Sequence, residues 1–251
     1  MRRVSIRFYA ELNDFLPPAR RMRTTELHFH VPGSVKDLIE SCGVPHTEVD
    51  LVLVNGRSVG FEHRLADGDR VSVYPVFESL DITPLLKVRP KPLRTPRFVV
   101  DTHLGRLAAY LRMLGFDTLY NKGAGDAELA RASSEEGRVL LTRDRGLLKR
   151  GTITHGCYIR EPNPRRQAIE VLRRLDLAGT AKPFSRCLAC NGLLADASGS
   201  DVTARLPAGV RGRYREFQVC AACGRVFWKG SHYRRMEQLV QELLREAGGV
   251  R

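Results

Sequence analysis

Four of the six cysteines stand as two pairs, Cys187-Leu-Ala-Cys190 and Cys220-Ala-Ala-Cys223, with 29 residues between them. Each C-x-x-C turn places two thiolates on one side of a tight bend, and two such turns close a tetrahedron around one Zn2+. Residues 185–251 are therefore predicted to form a zinc ribbon followed by a C-terminal helix. All four ligand positions are filled, which makes the metal structural. A redox dithiol needs one pair, not two. Cys42 and Cys157 have no cysteine neighbour in sequence and read as small buried hydrophobes. Metal-type cysteine spacing points to a reducing compartment. The N-terminus, Met-Arg-Arg-Val-Ser-Ile, lacks an apolar run and a small-residue cleavage site, and no segment is long and apolar enough for a bilayer. The expectation is a cytoplasmic chain with no membrane contact.

Charge is unevenly distributed. Residues 1–82 carry 10 Lys/Arg against 12 Asp/Glu, whereas residues 83–251 carry 31 against 16. A basic excess confined to one part of the chain suits a polyanion such as RNA, because Lys and Arg displace its condensed counterions. An arginine-rich codon bias would colour the first third as well.

Residues 1–82 read as a small β-rich domain in the order ββαββ. Val-Ser-Ile-Arg-Phe alternates apolar and polar side chains, and Leu27–Val31 is a second strand. Ser34 caps a helix over 35–44. Val49–Val54 runs into an Asn-Gly turn, and an Asp-Gly turn precedes the last strand. Residues 83–96, with four prolines, read as an extended linker. Residues 97–184 alternate strand and helix: strands at Phe98–Val100, Asp117–Asn121, Val139–Thr142 and Thr152–Arg160, helices at 103–116, 126–137, 146–151 and 164–177. Four strands separated by helices predict a parallel α/β sheet. Leu104, Leu107, Ala108, Leu111 and Leu114 share one helix face. Asp126 is a candidate N-cap and Gly137 a candidate C-cap.

In such a sheet ligands bind beyond the carboxyl ends of the strands. Asp101 ends the first strand of this domain, Asp126 starts the helix after the second, and Asp144 follows the third. Carboxylates gathered at one edge repel unless a hard cation neutralises them, and Mg2+ or Mn2+ prefers oxygen ligands. Each aspartate alone also reads as a helix cap. Arg143 and Arg145, flanking Asp144, and Arg106 are candidates to meet RNA phosphates. His103 is a candidate substrate contact or an ordinary helix-start residue.

Two resemblances follow from these residues. Leu-Val-Asn-Gly-Arg with Leu-Ala-Asp-Gly-Asp-Arg-Val-Ser-Val-Tyr-Pro resembles the ubiquitin-like sulfur carriers of the ThiS and MoaD type. The Gly-Gly on which those carriers act is missing from the domain end, so the resemblance implies a β-grasp shape turned to docking a protein partner or positioning RNA. Phe-Val-Val-Asp-Thr-His-Leu-Gly-Arg, Asp-Ala-Glu-Leu-Ala-Arg and Cys-Gly-Arg-Val-Phe-Trp-Lys-Gly-Ser-His-Tyr resemble the Mut-seven C-terminal RNase domain family. That resemblance implies a PIN-like α/β fold with a zinc ribbon and an N-terminal ubiquitin-like domain. It implies metal-dependent hydrolysis of RNA, structured or ribosome- or tRNA-related, with Asp101, Asp126 and Asp144 at the acidic positions. Arg145 and Gly146 stand where many PIN nucleases carry a fourth acid, and Glu128 is the candidate to complete the site. A site left incomplete would instead make an RNA- or ribosome-binding protein. In the ribbon, Trp228, Lys229, His232, Tyr233 and Arg234 interleave aromatic and basic side chains, a pattern that stacks bases and holds phosphates. Trp228 packed on the knuckle is the other reading.

Overall fold

The computed structural model describes residues 2–29, 33–75, 87–88, 96–207 and 209–248. The predicted linker lies almost wholly outside them. In chain order the elements are β1 (Arg2–Phe8), β2 (Thr24–Phe29), α1 (Val35–Ser41), β3 (Leu51–Val54), β4 (Arg57–Ser58), β5 (Arg70–Tyr74), β6 (Phe98–Val100), α2 (Gly105–Met113) and β7 (Thr118–Tyr120). There follow α3 (Asp126–Glu136), β8 (Val139–Thr142), α4 (Arg145–Leu148), β9 (Gly156–Tyr158), α5 (Pro164–Arg174), β10 (Leu194–Ala197), α6 (Gly199–Val202), β11 (Phe217–Cys220), β12 (Val226–Trp228) and α7 (Ser231–Gly248). The chain divides into two compact units, Met1–Thr95 with Gly125–Tyr158, and Pro96–Ala124 with Ile159–Arg251. Among the described residues no helix is long and apolar enough to cross a membrane.

The first unit begins with a β-grasp sheet in the order β2-β1-β5-β3-β4. Its central strands, β1 and β5, are parallel, and their neighbours are antiparallel. Alternation does the work expected of it. Val4, Ile6 and Phe8 of β1 and Val71 and Val73 of β5 are buried, together with Val35 and Ile39 of α1. Ser34 caps α1 in a reciprocal box, accepting from the Asp37 N–H while the Asp37 carboxylate accepts from the Ser34 N–H. Asn55 and Gly56 take φ +51° and +79°, the left-handed pair that a two-residue hairpin needs.

The same unit contains α3, β8, α4 and β9. The strands β8 and β9 pair in parallel. Helix α3 starts at Asp126 with Gly125 as its cap residue, so Asp126 is the first helical residue and not the cap. Gly137 ends it at φ +60°. These elements are tied to the β-grasp part by specific contacts. The Arg145 guanidinium lies over the rings of Phe15 and Tyr158, at 5.0 and 5.4 Å, and donates to the Phe15 carbonyl. Glu48, 1% exposed, accepts from the Tyr158 N–H at 2.6 Å. His46 is held between the Glu40 carboxylate and the Ile153 carbonyl, and burial pushes it below the ordinary histidine pKa against the pull of Glu40. Lys149 donates to the Glu40 carbonyl.

The second unit holds the parallel pair β6 and β7. Leu107, Ala108 and Leu111 of α2 are buried as the helical spacing predicts, with Leu104 and Leu114 at its two ends. Helix α5 opens with Asn163 as cap and Pro164 at its first position, and packs against α2 and α7. Gly115 has φ +92°, and a Cβ there would come within 2.1 Å of the Lys182 carbonyl. Only glycine lets residues 182–184 pass so close over the end of α2. The strands β10, β11 and β12 form an antiparallel sheet that carries both cysteine pairs at its turns.

Candidate metal centre and acidic residues

The structure brings the four cysteines together. Among the described residues they are the one group of three or more His, Cys, Asp or Glu whose ligand atoms all lie within 4.8 Å of one another. Cys187 and Cys223 are 3.7 Å apart at sulfur, and Cys190 and Cys220 are 3.4 Å apart. Sulfurs at about 2.3 Å from a tetrahedral zinc stand about 3.8 Å from one another, so the donor set fits the metal in number, chemistry and spacing. Both knuckles turn alike. Asn191 and Gly224, each directly after the second cysteine of its pair, have φ +71°. The N–H groups of Asn191 and Gly224 close the turns on the carbonyls of Cys187 and Cys220. Gly192 sits against the sulfurs, and a Cβ there would be 2.8 Å from Cys220 Sγ.

The thiols influence one another strongly. Burial raises Cys220, but the N–H groups of Cys223 and Ala222 and the neighbouring thiols bring it down to about 6. The Gly192 N–H favours ionisation of Cys190, yet burial and the other three thiols drive it up to about 12. The Cys220 sulfur is thus favoured as a thiolate by hydrogen bonds from its neighbours, and Cys190 is favoured as a thiol.

The first knuckle is anchored to β7 and α2. Asn191 accepts from the Thr118 N–H at 2.9 Å and donates to the Asp117 carboxylate at 2.9 Å. Arg112, 5% exposed, donates through Nε to the Thr118 carbonyl and through one terminal nitrogen to the carbonyls of Leu188 and Ala189. Arg186 pairs with Asp117 at 3.4 Å and donates to the Asn191 carbonyl. Sequence reading did not reach these residues. The signal that was there is an asparagine at the knuckle position where the second pair has glycine.

The acids are placed one by one, because Asp101 belongs to the second unit and Asp126, Glu128 and Asp144 to the first. Asp101 follows β6 directly and is 7% exposed. It caps the short 3-10 turn after it by accepting from the Thr102 N–H, and His103 stands 3.4 Å away. Asp144 lies two residues past β8, is exposed, and caps α4 by accepting from the N–H groups of Gly146 and Leu147. Thr142 fixes this turn by accepting from the Asp144 N–H. Asp126 and Glu128 are exposed in the first turn of α3, and Arg150 reaches Asp126 at 3.4 Å.

With this geometry in hand, comparison with known proteins is decisive on family. The Mut7-C RNAse domain matches residues 96–240. The Mut7-C ubiquitin domain matches residues 1–81. The chain belongs to the Mut7-C RNase domain family. Among curated proteins none matches. A Pyrococcus furiosus chain named for molybdopterin converting factor, subunit 1, is 22% identical over 30% of this chain and 98% of its own, with a TM-score of 0.24, too low to carry a structural argument.

The basic and aromatic candidates of this Mut7-C chain divide into exposed and engaged groups. Arg106, His232 and Arg234 are exposed. Arg143 is half-buried, and Arg145 is committed to Phe15 and Tyr158. Lys229 pairs with Glu216 at 2.5 Å. Tyr233 packs its ring on Phe184, with centroids 4.7 Å apart. Trp228 packs against the small ribbon core of Val202, Leu206 and Phe217.

Proposed function

We propose that this chain is a divalent-metal-dependent ribonuclease whose zinc ribbon is structural and helps to grip RNA. The observation that carries this reading is the Mut7-C RNase match over 96–240, with Asp101 and Asp144 each just past the C-terminal end of a strand. Oxygen donors of this kind suit Mg2+ or Mn2+. Asp101, Asp126 and Asp144 would hold that ion, with Glu128 in the first turn of α3 as a further acid. When bound, it would neutralise charge on the scissile phosphate and supply hydroxide near neutral pH. Arg106, Arg143, Lys229 and Arg234 hold the phosphate backbone, His232 adds a donor, and His103 lies beside Asp101 to meet substrate. Zn2+ is held by Cys187, Cys190, Cys220 and Cys223. In the β-grasp part, β2 forms one edge of the sheet, where a protein partner can add a strand.

A second reading is a non-catalytic RNA- or ribosome-binding protein. It is favoured by Arg145 and Gly146 in place of a fourth acid and by the capping duty of Asp144 on α4. RNA cleavage by the zinc-loaded protein with added Mn2+ or Mg2+ separates the two. Asp144→Asn should lower the rate by at least about 10-fold, the scale of weakening the hold on a catalytic metal. Equal cleavage by both proteins rejects this site. No cleavage by the unaltered protein leaves the binding reading.

A further inference from the structure

The ribbon sheet has two faces, and only one is covered by its own small core. Phe217, Ala197 and Trp228 stand in one cross-strand row, and Phe217 is buried there against Val202 and Leu206. The adjacent row, Asp196, Gln218 and Phe227, points the other way. Residues of both rows, Trp228 and Phe227 among them, line a cavity of about 610 Å3 together with Phe184, Tyr233 and Met236. That volume lies within the usual range of about 300–1,000 Å3 for small-ligand sites.

The cavity combines three chemistries. Phe227, Phe184 and Tyr233 offer aromatic surface. Gln218 donates to Asp196 at 3.2 Å, so an amide and a carboxylate lie side by side with donors and acceptors together. Arg215 supplies positive charge at the wall, and Lys229 lies there beside its partner Glu216. One backbone detail bears on this cavity. Phe184 is held at φ +59°, a strained conformation for a bulky residue, which sets its ring on Tyr233. The whole second unit carries 21 Lys/Arg against 11 Asp/Glu, which suits a polyanion.

We propose that this cavity takes one unpaired base of an RNA strand. The base stacks on the aromatic side chains, its edge is read by Gln218 and Asp196, and its flanking phosphate meets Arg215. The proposal rests on the RNA-binding part of the function proposed above and adds where a single base is held.

Trp228 lines the cavity and is the only tryptophan in the chain, so it is a built-in reporter. Zinc-loaded full-length protein, without added Mg2+ or Mn2+, is titrated with a short single-stranded RNA and with the same sequence as a duplex. Binding is followed by anisotropy and Trp228 by its fluorescence. The single strand should change Trp228 emission as it binds, and the duplex should not. Phe227→Leu and Gln218→Ala should each weaken single-strand binding by about 10-fold. Single-strand binding with unchanged Trp228 emission and unchanged affinity in both variants overturns the cavity assignment while leaving RNA binding intact. An equal response to the duplex also overturns it. No binding of either RNA removes the RNA reading itself. The emission of the unaltered protein decides the matter even if a variant fails to fold.

Discussion

Asn191 does two jobs that Gly224 does not. Both residues accept the left-handed conformation that closes a cysteine knuckle, but only Asn191 reaches out, to the Thr118 N–H and the Asp117 carboxylate. Substitution separates the jobs. Asn191→Gly keeps the turn and strips the tether, leaving a buried N–H unpaired, at a cost of about 1–3 kcal/mol. Asn191→Ala strips the tether and adds left-handed strain of roughly 1 kcal/mol. Thermal unfolding should therefore rank the unaltered protein above Asn191→Gly and that above Asn191→Ala, with zinc still bound in the glycine variant. Equal stability of all three would show that the tether contributes nothing. Asn191 was legible only as a polar residue after a cysteine. Its partners lie more than 70 positions away, and side-chain bonds of that range leave no local pattern. The cysteines themselves were legible, because thiolate chemistry and tight-turn geometry together leave few uses for two C-x-x-C pairs.

At the scale of elements, periodicity and capping located most helices and strands. The apolar face of α2, the capping box of α1 and Pro164 at the start of α5 all express local rules. Strand β9 is shorter than the predicted 152–160, because only Gly156–Tyr158 pair with β8. Asp126 moved from cap to first helical residue because Gly125 already has the extended backbone of a cap. The alliance of α4 and β9 with the β-grasp part was not legible. It rests on Arg145, which reads in the sequence as a phosphate contact, lying over Phe15 and Tyr158, and on His46 and buried Glu48, whose partners Ile153 and Tyr158 lie 107 and 110 positions away. These ties predict that the first unit opens as one body. Glu48→Ala unpairs the Tyr158 N–H and should cost about 1–3 kcal/mol. Hydrogen exchange should then quicken together in β3, β5, β8 and β9. Faster exchange confined to β3 and β5 would contradict this coupling.

At the scale of the molecule, each unit uses a different device for order. The first buries a continuous apolar core under its β-grasp sheet. The second gathers four cysteines in its ribbon and ties the first knuckle down with a buried arginine, Arg112. The basic excess belongs mostly to the second unit, with 21 Lys/Arg against 11 Asp/Glu, while the first has 20 against 17. That division fits the proposal that much of the RNA phosphate contact falls to the second unit. The proposed ribonuclease chemistry turns on whether acids from distant chain positions serve one ion. A Mn2+ titration of the zinc-loaded protein, read by electron paramagnetic resonance, measures this directly. One tightly held Mn2+ per chain is expected, weakened by at least about 10-fold in each of Asp101→Asn, Asp126→Asn and Asp144→Asn. Retention of that ion at full affinity in Asp101→Asn would contradict it.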